Sequence, residues 1–154
     1  MKKLGCFLFV FLFVLTACSA PSAGPDKTIA EISDEIIAGA EIANPMPIGT
    51  DSLLSLYGIS ADDVEESACF ITMNGVFPDE SIIVKAKDAD AAARIKACLD
   101  NRLKEVLDQS RSYDAESYAV AQKCHVNENG LYLSLFVSAA HEKMNEIYLS
   151  HFKG

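Results

Sequence analysis

Tryptophan is absent from the 154 residues, histidine occurs three times, and Lys and Arg number only 13 against 22 Asp and Glu. The resulting net charge of −9 repels phosphate backbones and argues against a nucleic-acid partner. His125, His141 and His151 stand far apart, with no pair at the three- or four-residue spacing of a helical zinc motif, so no metal site is expected. The nucleophile elbow G-x-S-x-G, the P-loop and G-x-G-x-x-G are all missing, so no cofactor is expected either. Asp88-Ala89-Asp90 opens like a calcium loop but has Ala93 where the turn needs Gly, and reads better as a helix cap. A run of about 20 apolar residues, the length that spans a bilayer, is also lacking. What remains is a chain that is 50% hydrophobic, far too apolar for a disordered acidic segment and the right size for one domain.

The longest apolar run is Leu4 to Leu15, twelve residues without a charge, behind Met1, Lys2 and Lys3. It has no polar face and gives way to Thr16 and Ala17, the layout of a secretory signal rather than of a span or a surface helix. Leu15-Thr16-Ala17-Cys18 resembles the lipobox of bacterial lipoprotein precursors. The resemblance implies that Cys18 receives a diacylglyceryl group, that residues 1–17 are cleaved, and that palmitate-type acyl chains on Cys18 hold the protein to membrane lipid. Two chains meet the requirement for stable anchoring, since one myristoyl-length chain binds only marginally. Cleavage removes Lys2 and Lys3, so 11 basic residues face 22 acidic ones and the net charge becomes −11. Residues 18–27, small, polar and twice interrupted by Pro, read as the lipidated Cys and a flexible tether, leaving 28–154 as a single domain.

Within the domain, Thr28-Ile-Ala-Glu31 has capping-box spacing and begins a helix expected over 29–43, stopped by Pro45 and Pro47. Asp51 to Gly58 reads as a short helical turn closed by Gly. Alternation over 68–76 and the β-branched run 81–87 predict two strands joined by residues 77–80. Ala92, Ile95, Leu99, Leu103 and Val106 form one stripe of a long helix over 89–109, and Asp114 caps a shorter one reaching 122. Residues 124–127 and 131–138 form a second hairpin around Asn129-Gly130, and 139–152 close the chain as a helix. This order predicts an α+β fold: a single antiparallel sheet of about four strands with helices packed mainly on one face.

Ile59 to Glu66, Ile82 to Lys87, Arg102, Tyr113 and Gly130-Leu131-Tyr132-Leu133 resemble a family of small Gram-positive lipoproteins whose domain has no assigned function. The similarity covers about residues 30 to 150. It implies export and this fold, and no activity or ligand.

Four features could carry chemistry. Arg102, placed at 100° per residue, falls among Ile95, Cys98, Leu99 and Val106 in the middle of the apolar stripe, where an unpaired guanidinium is costly. It therefore needs a carboxylate such as Glu66, Asp63 or Glu116 as an internal ion pair, or else receives a small anionic ligand. Tyr132, Ser134 and Phe136 alternate with Leu131, Leu133 and Leu135 and point to the sheet's second face, with Phe70, Thr72, Ile83 and Lys85. Such a face is either a binding surface carried by Tyr132 and Phe136 or a face covered by the first helix. Asp62, Asp63, Glu65 and Glu66 either attract calcium or form the charged first turn of a helix. Cys69, Cys98 and Cys124 remain after processing, an odd number, with Cys69 and Cys124 able to pair only if their strands are neighbours. Cys124 and His125 cannot form a catalytic dyad, because adjacent strand residues point to opposite faces.

These features predict a lipid-anchored protein on the outer face of the cell membrane, acting as a non-catalytic interaction or ligand-binding module for envelope proteins or a small anionic ligand. The alternative is a cell-envelope hydrolase with a site assembled around Arg102 from distant Glu116 and His125.

Overall fold

The computed structural model describes residues 24–73 and 78–152. Helix α1 (Ile29–Gly39) starts with the capping box: the Thr28 hydroxyl accepts from the Glu31 N–H, and the Glu31 carboxylate accepts from the Thr28 N–H at 3.0 Å. Ile29, Ile32 and Ile36 bury one face completely. The helix ends four residues earlier than the Pro signal predicts, because Glu41 and Asn44 take left-handed φ values of 55° and 54°. Where the sequence offered only a helix stop there is a strand, β1 (Met46–Ile48). It lies at the sheet edge, where Pro47 withholds no hydrogen bond from an interior ladder.

A single 3-10 turn leads into α2 (Leu53–Tyr57), which Gly58 closes at φ 72°. Ala at this position would keep the left-handed backbone, so Gly58→Ala is expected to cost about 1–2 kcal/mol, read as a lower thermal midpoint. Strands β2 (Val64–Ile71) and β3 (Glu80–Ala86) pair antiparallel. β2 starts earlier than the alternation over 68–76 indicates, and residues 74–77 of that expected strand and loop lie outside the described residues. The acidic run is consequently divided: Asp62 and Asp63 lie in the first turn of a short 3-10 helix (Ala61–Asp63), whereas Glu65 and Glu66 already belong to β2.

Helix α3 (Ala89–Tyr113) is capped by Asp88, whose carboxylate accepts from the Ala91 N–H at 2.8 Å. Asp114 ends it and caps α4 (Ala115–Ala121) by accepting from the N–H groups of Glu116 and Ser117. β4 (Val126–Asn129) and β5 (Tyr132–Val137) follow, then α5 (His141–Ser150). The β4–β5 turn is Gly130-Leu131, with only Gly130 at positive φ (63°), the pattern of a type II′ turn with Gly first.

All four strand pairings are antiparallel, in the order β1-β2-β3-β5-β4. Among the described residues the fold is thus α+β with one antiparallel sheet, of five strands rather than about four. Each face carries its own core. Val64, Ile82, Val84, Leu133, Leu135 and Val137 pack against Ile95, Leu99 and Val106 of α3. Phe70, Ile83 and Phe136 pack against Ile29, Ile32 and Ile36 of α1 and Met144 and Tyr148 of α5. Helices therefore cover both faces, α3 and α4 on one and α1 with α5 on the other, because β3 and β5 carry large apolar residues to both sides, Ile83 and Phe136 among the polar neighbours of the second face. Each fully buried Ile, Leu or Phe contributes about 1.5–3 kcal/mol of transfer free energy.

The expected tether also ends sooner than Lys27. The Asp26 N–H donates to the His151 carbonyl at 3.1 Å, and Gly24 lies against the Tyr132 ring.

Candidate functional site

Glu80 shares its strand parity with Ile82, Val84 and Ala86, so its side chain points toward α3 and is 2% exposed. Arg102 descends to it from α3, one turn from both Leu99 and Val106. The guanidinium donates from Nε to Glu80 Oε2 at 3.0 Å and from Nη2 to Glu80 Oε1, and from Nη1 to Glu105 at 3.4 Å. Each of its three nitrogens thus faces a carboxylate. The Tyr57 ring of α2 lies 5.9 Å from the guanidinium carbon. Burial, and next the Glu80 charge, push the Tyr57 phenol well above its ordinary range, so it stays neutral.

The partner of Arg102 is therefore Glu80 and not Glu66, Asp63 or Glu116. Asp63 instead accepts from Arg94 at 2.6 and 3.0 Å, and Glu65 pairs with Lys85 at 2.7 Å. The Glu80 signal was present in the sequence as an acid at even spacing before Ile82 and Val84, and was lost by placing Glu80 in a loop. A polar hollow of about 290 Å³ opens beside the pair, lined by Ser55, Tyr57, Cys98, Asn101, Arg102 and Glu105. With one guanidinium against Glu80 and Glu105, its local charge sums to −1, which does not favour a small anion.

A second hollow, of about 270 Å³, lies between the end of α3, α4 and the end of β5. Val106, Val120 and Val137 supply an apolar wall, with Asp79, Asp114 and Glu116 at the rim. Asp114 is committed to its cap, and the Ser117 hydroxyl bonded to it holds its carboxyl below the usual range. Arg102 and Glu116 thus line different hollows, and exposed His125 lines neither, so the three residues of the envelope-hydrolase alternative are not brought together.

Phe136, read from the sequence as part of a candidate binding face, is 0% exposed beneath α1 and α5, and packs edge to face on Tyr148. Tyr132 is half-buried at the margin, edge to face with Phe152. This corrects the open-face alternative: the two ends of the domain supply the cover. Sequence reasoning missed the polar fastening there. Asn127 Nδ2 donates to Ser134 Oγ at 3.0 Å and to Asn145 Oδ1 at 2.6 Å, and Asn145 Nδ2 donates to the His141 carbonyl at 2.8 Å.

Cys69, Cys98 and Cys124 are free thiols. β2 is separated from β4 by two strands, roughly 14 Å at ordinary spacing, so Cys69 and Cys124 cannot pair. Burial pushes the Cys69 thiol up to about 12 and raises those of Cys98 and Cys124 as well, leaving little thiolate at neutral pH. Among the described residues, no group of three His, Cys, Asp or Glu side chains could hold a metal ion, and no helix is long and apolar enough to cross a membrane. Cys18 lies outside the described residues.

No curated protein and no solved structure matches the chain. Residues 38–138, about two thirds of the sequence, match the model of a domain of unknown function, DUF4358. That span holds all five strands with α2, α3 and α4, the whole sheet and the Arg102–Glu80 pair with it, and the chain therefore belongs to the DUF4358 family.

Proposed function

We propose that the protein is a lipoprotein anchored to the outer face of the cell membrane through acyl chains on Cys18, of the kind found in Gram-positive bacteria. The observation that carries this reading is the lipobox-like Leu15-Thr16-Ala17-Cys18 directly behind a charged start and a twelve-residue apolar run. The domain acts there as a non-catalytic interaction module. Support for that part is chemical: each nitrogen of the Arg102 guanidinium meets a carboxylate, the thiols are held neutral by burial, and Glu116 and His125 stand away from Arg102. A net charge of −11 after processing suits a partner with a basic face among envelope proteins better than a small anion.

Growing cells with an alkyne-bearing palmitate analogue tests the anchor. The wild-type protein is expected to be labelled and to run at its processed size, and Cys18→Ala to lose both label and cleavage. Normal labelling of the Ala variant ends the lipoprotein reading.

A further inference from the structure

The segment ahead of α1 is tied to the last turn of α5 around one ring. His151, 8% exposed, sets Nδ1 2.6 Å from Asp26 Oδ1 and Nε2 3.1 Å from Glu35 Oε2. The His151 carbonyl accepts the Asp26 N–H, and Lys27 Nζ pairs with the second oxygen of Glu35. A carboxylate only accepts. A neutral imidazole has a single N–H, so it can satisfy one of these two acids while turning a lone pair on the other, whereas an imidazolium donates to both. The Lys27 hydrogen bond holds the Glu35 carboxyl below its ordinary range, so Glu35 is charged throughout the pH interval in which a histidine loses its proton.

We propose that residues Gly24–Lys27 form a strap latched by the His151 imidazolium between Asp26 and Glu35, and that loss of the second ring proton releases it. The charged groups around the ring are Asp26 and Lys27 from the strap and Glu35 from α1, with Glu31 one turn before it. Tyr132 and Tyr148 stand in the adjoining stack with Phe152. With the ring charged, Asp26, Lys27, Glu35 and His151 sum to zero. With it neutral they sum to −1, and one of the two anions confronts a lone pair. Asp26 and Glu35 are 70% and 41% exposed in their side chains, so the latch is a light one, suited to switching rather than to holding the fold. Release frees four residues, at most roughly 14 Å of extended chain. If Cys18 carries the anchor, that length is added between membrane and domain. This consequence rests on the lipoprotein reading, whereas the latch does not.

The test is solvent exchange of the Asp26 amide, with its intrinsic pH dependence divided out, followed by NMR on the full chain alongside the two ring-nitrogen signals of His151. As the pH is raised, Asp26 protection is expected to fall roughly two- to fivefold, the range of an exposed ion pair, in step with loss of the second ring proton as read from the two His151 nitrogen signals. Glu35→Gln should flatten the profile, because an amide can donate to the neutral ring. Since Glu35 is partly exposed, this variant keeps the fold, which the unchanged α3 amides would report. Protection that stays constant with pH in the wild type, or a profile unchanged in Glu35→Gln, overturns the proposal. Neither readout involves lipid, so failure of the anchor would show only in the Cys18→Ala labelling.

Discussion

Arg102→Ala is expected to destabilise the domain by about 3–5 kcal/mol, seen as a lower denaturation midpoint without loss of cooperativity. The cost arises less from the lost attraction than from Glu80, left 2% exposed with no partner at a position that β3 pairing fixes. Arg102→Met refills part of the volume and should be milder, yet it strands the same carboxylate. Adding Glu80→Gln to the Met variant should recover much of the loss, because the buried charge is then gone. A full cost that persists in the double variant would assign the effect to packing against Tyr57 instead of to charge. Inorganic phosphate that stabilises the wild type but not the Met variant would revive the anion-site reading.

Phe136→Ala is expected to cost about 3–5 kcal/mol, as removal of a wholly buried aromatic side chain does, and Tyr132→Ala considerably less. The contrast measures the second face directly. A docking surface would give two tolerated substitutions with comparable losses of partner binding. A core covered by α1 and α5 gives one severe and one mild stability defect, by chemical denaturation of the two variants side by side.

Legibility in the sequence followed the range of the interactions. The α3 stripe from Ala92 to Val106, the Asp88 and Asp114 caps and the Thr28 capping box depend on neighbours within one or two turns, and each stands where its spacing indicated. The inward place of Arg102 was legible for the same reason. Its partner was not: choosing Glu80 required knowing that β3 begins one residue before its β-branched run. β1 escaped because three residues containing Pro47 have no intrinsic strand signal and exist only as a partner of Cys69, Phe70 and Ile71. The early end of α1 depends on left-handed Glu41, a residue type with no preference for that conformation. The cover over Phe136 was open in the sequence because two helices from opposite ends of the domain share it, and no local pattern records which face they choose.

That shared cover has a kinetic meaning. β2–β3 and β4–β5 join strands consecutive in the chain, and α3 forms from its own turns, so these pieces need little loop closure. Joining β3 to β5 requires closing the entire α3–α4–β4 excursion, and seating α1 beside α5 requires bringing together residues as distant as Asp26 and His151. The costliest closures in chain entropy are thus the ones that bury Phe70, Ile83 and Phe136. A chain in which the sheet has formed but its two ends have not yet met presents an aromatic, β-branched surface to its neighbours. For this molecule the hazardous interval of folding is the wait for its own ends, and it lasts until the final helix is available.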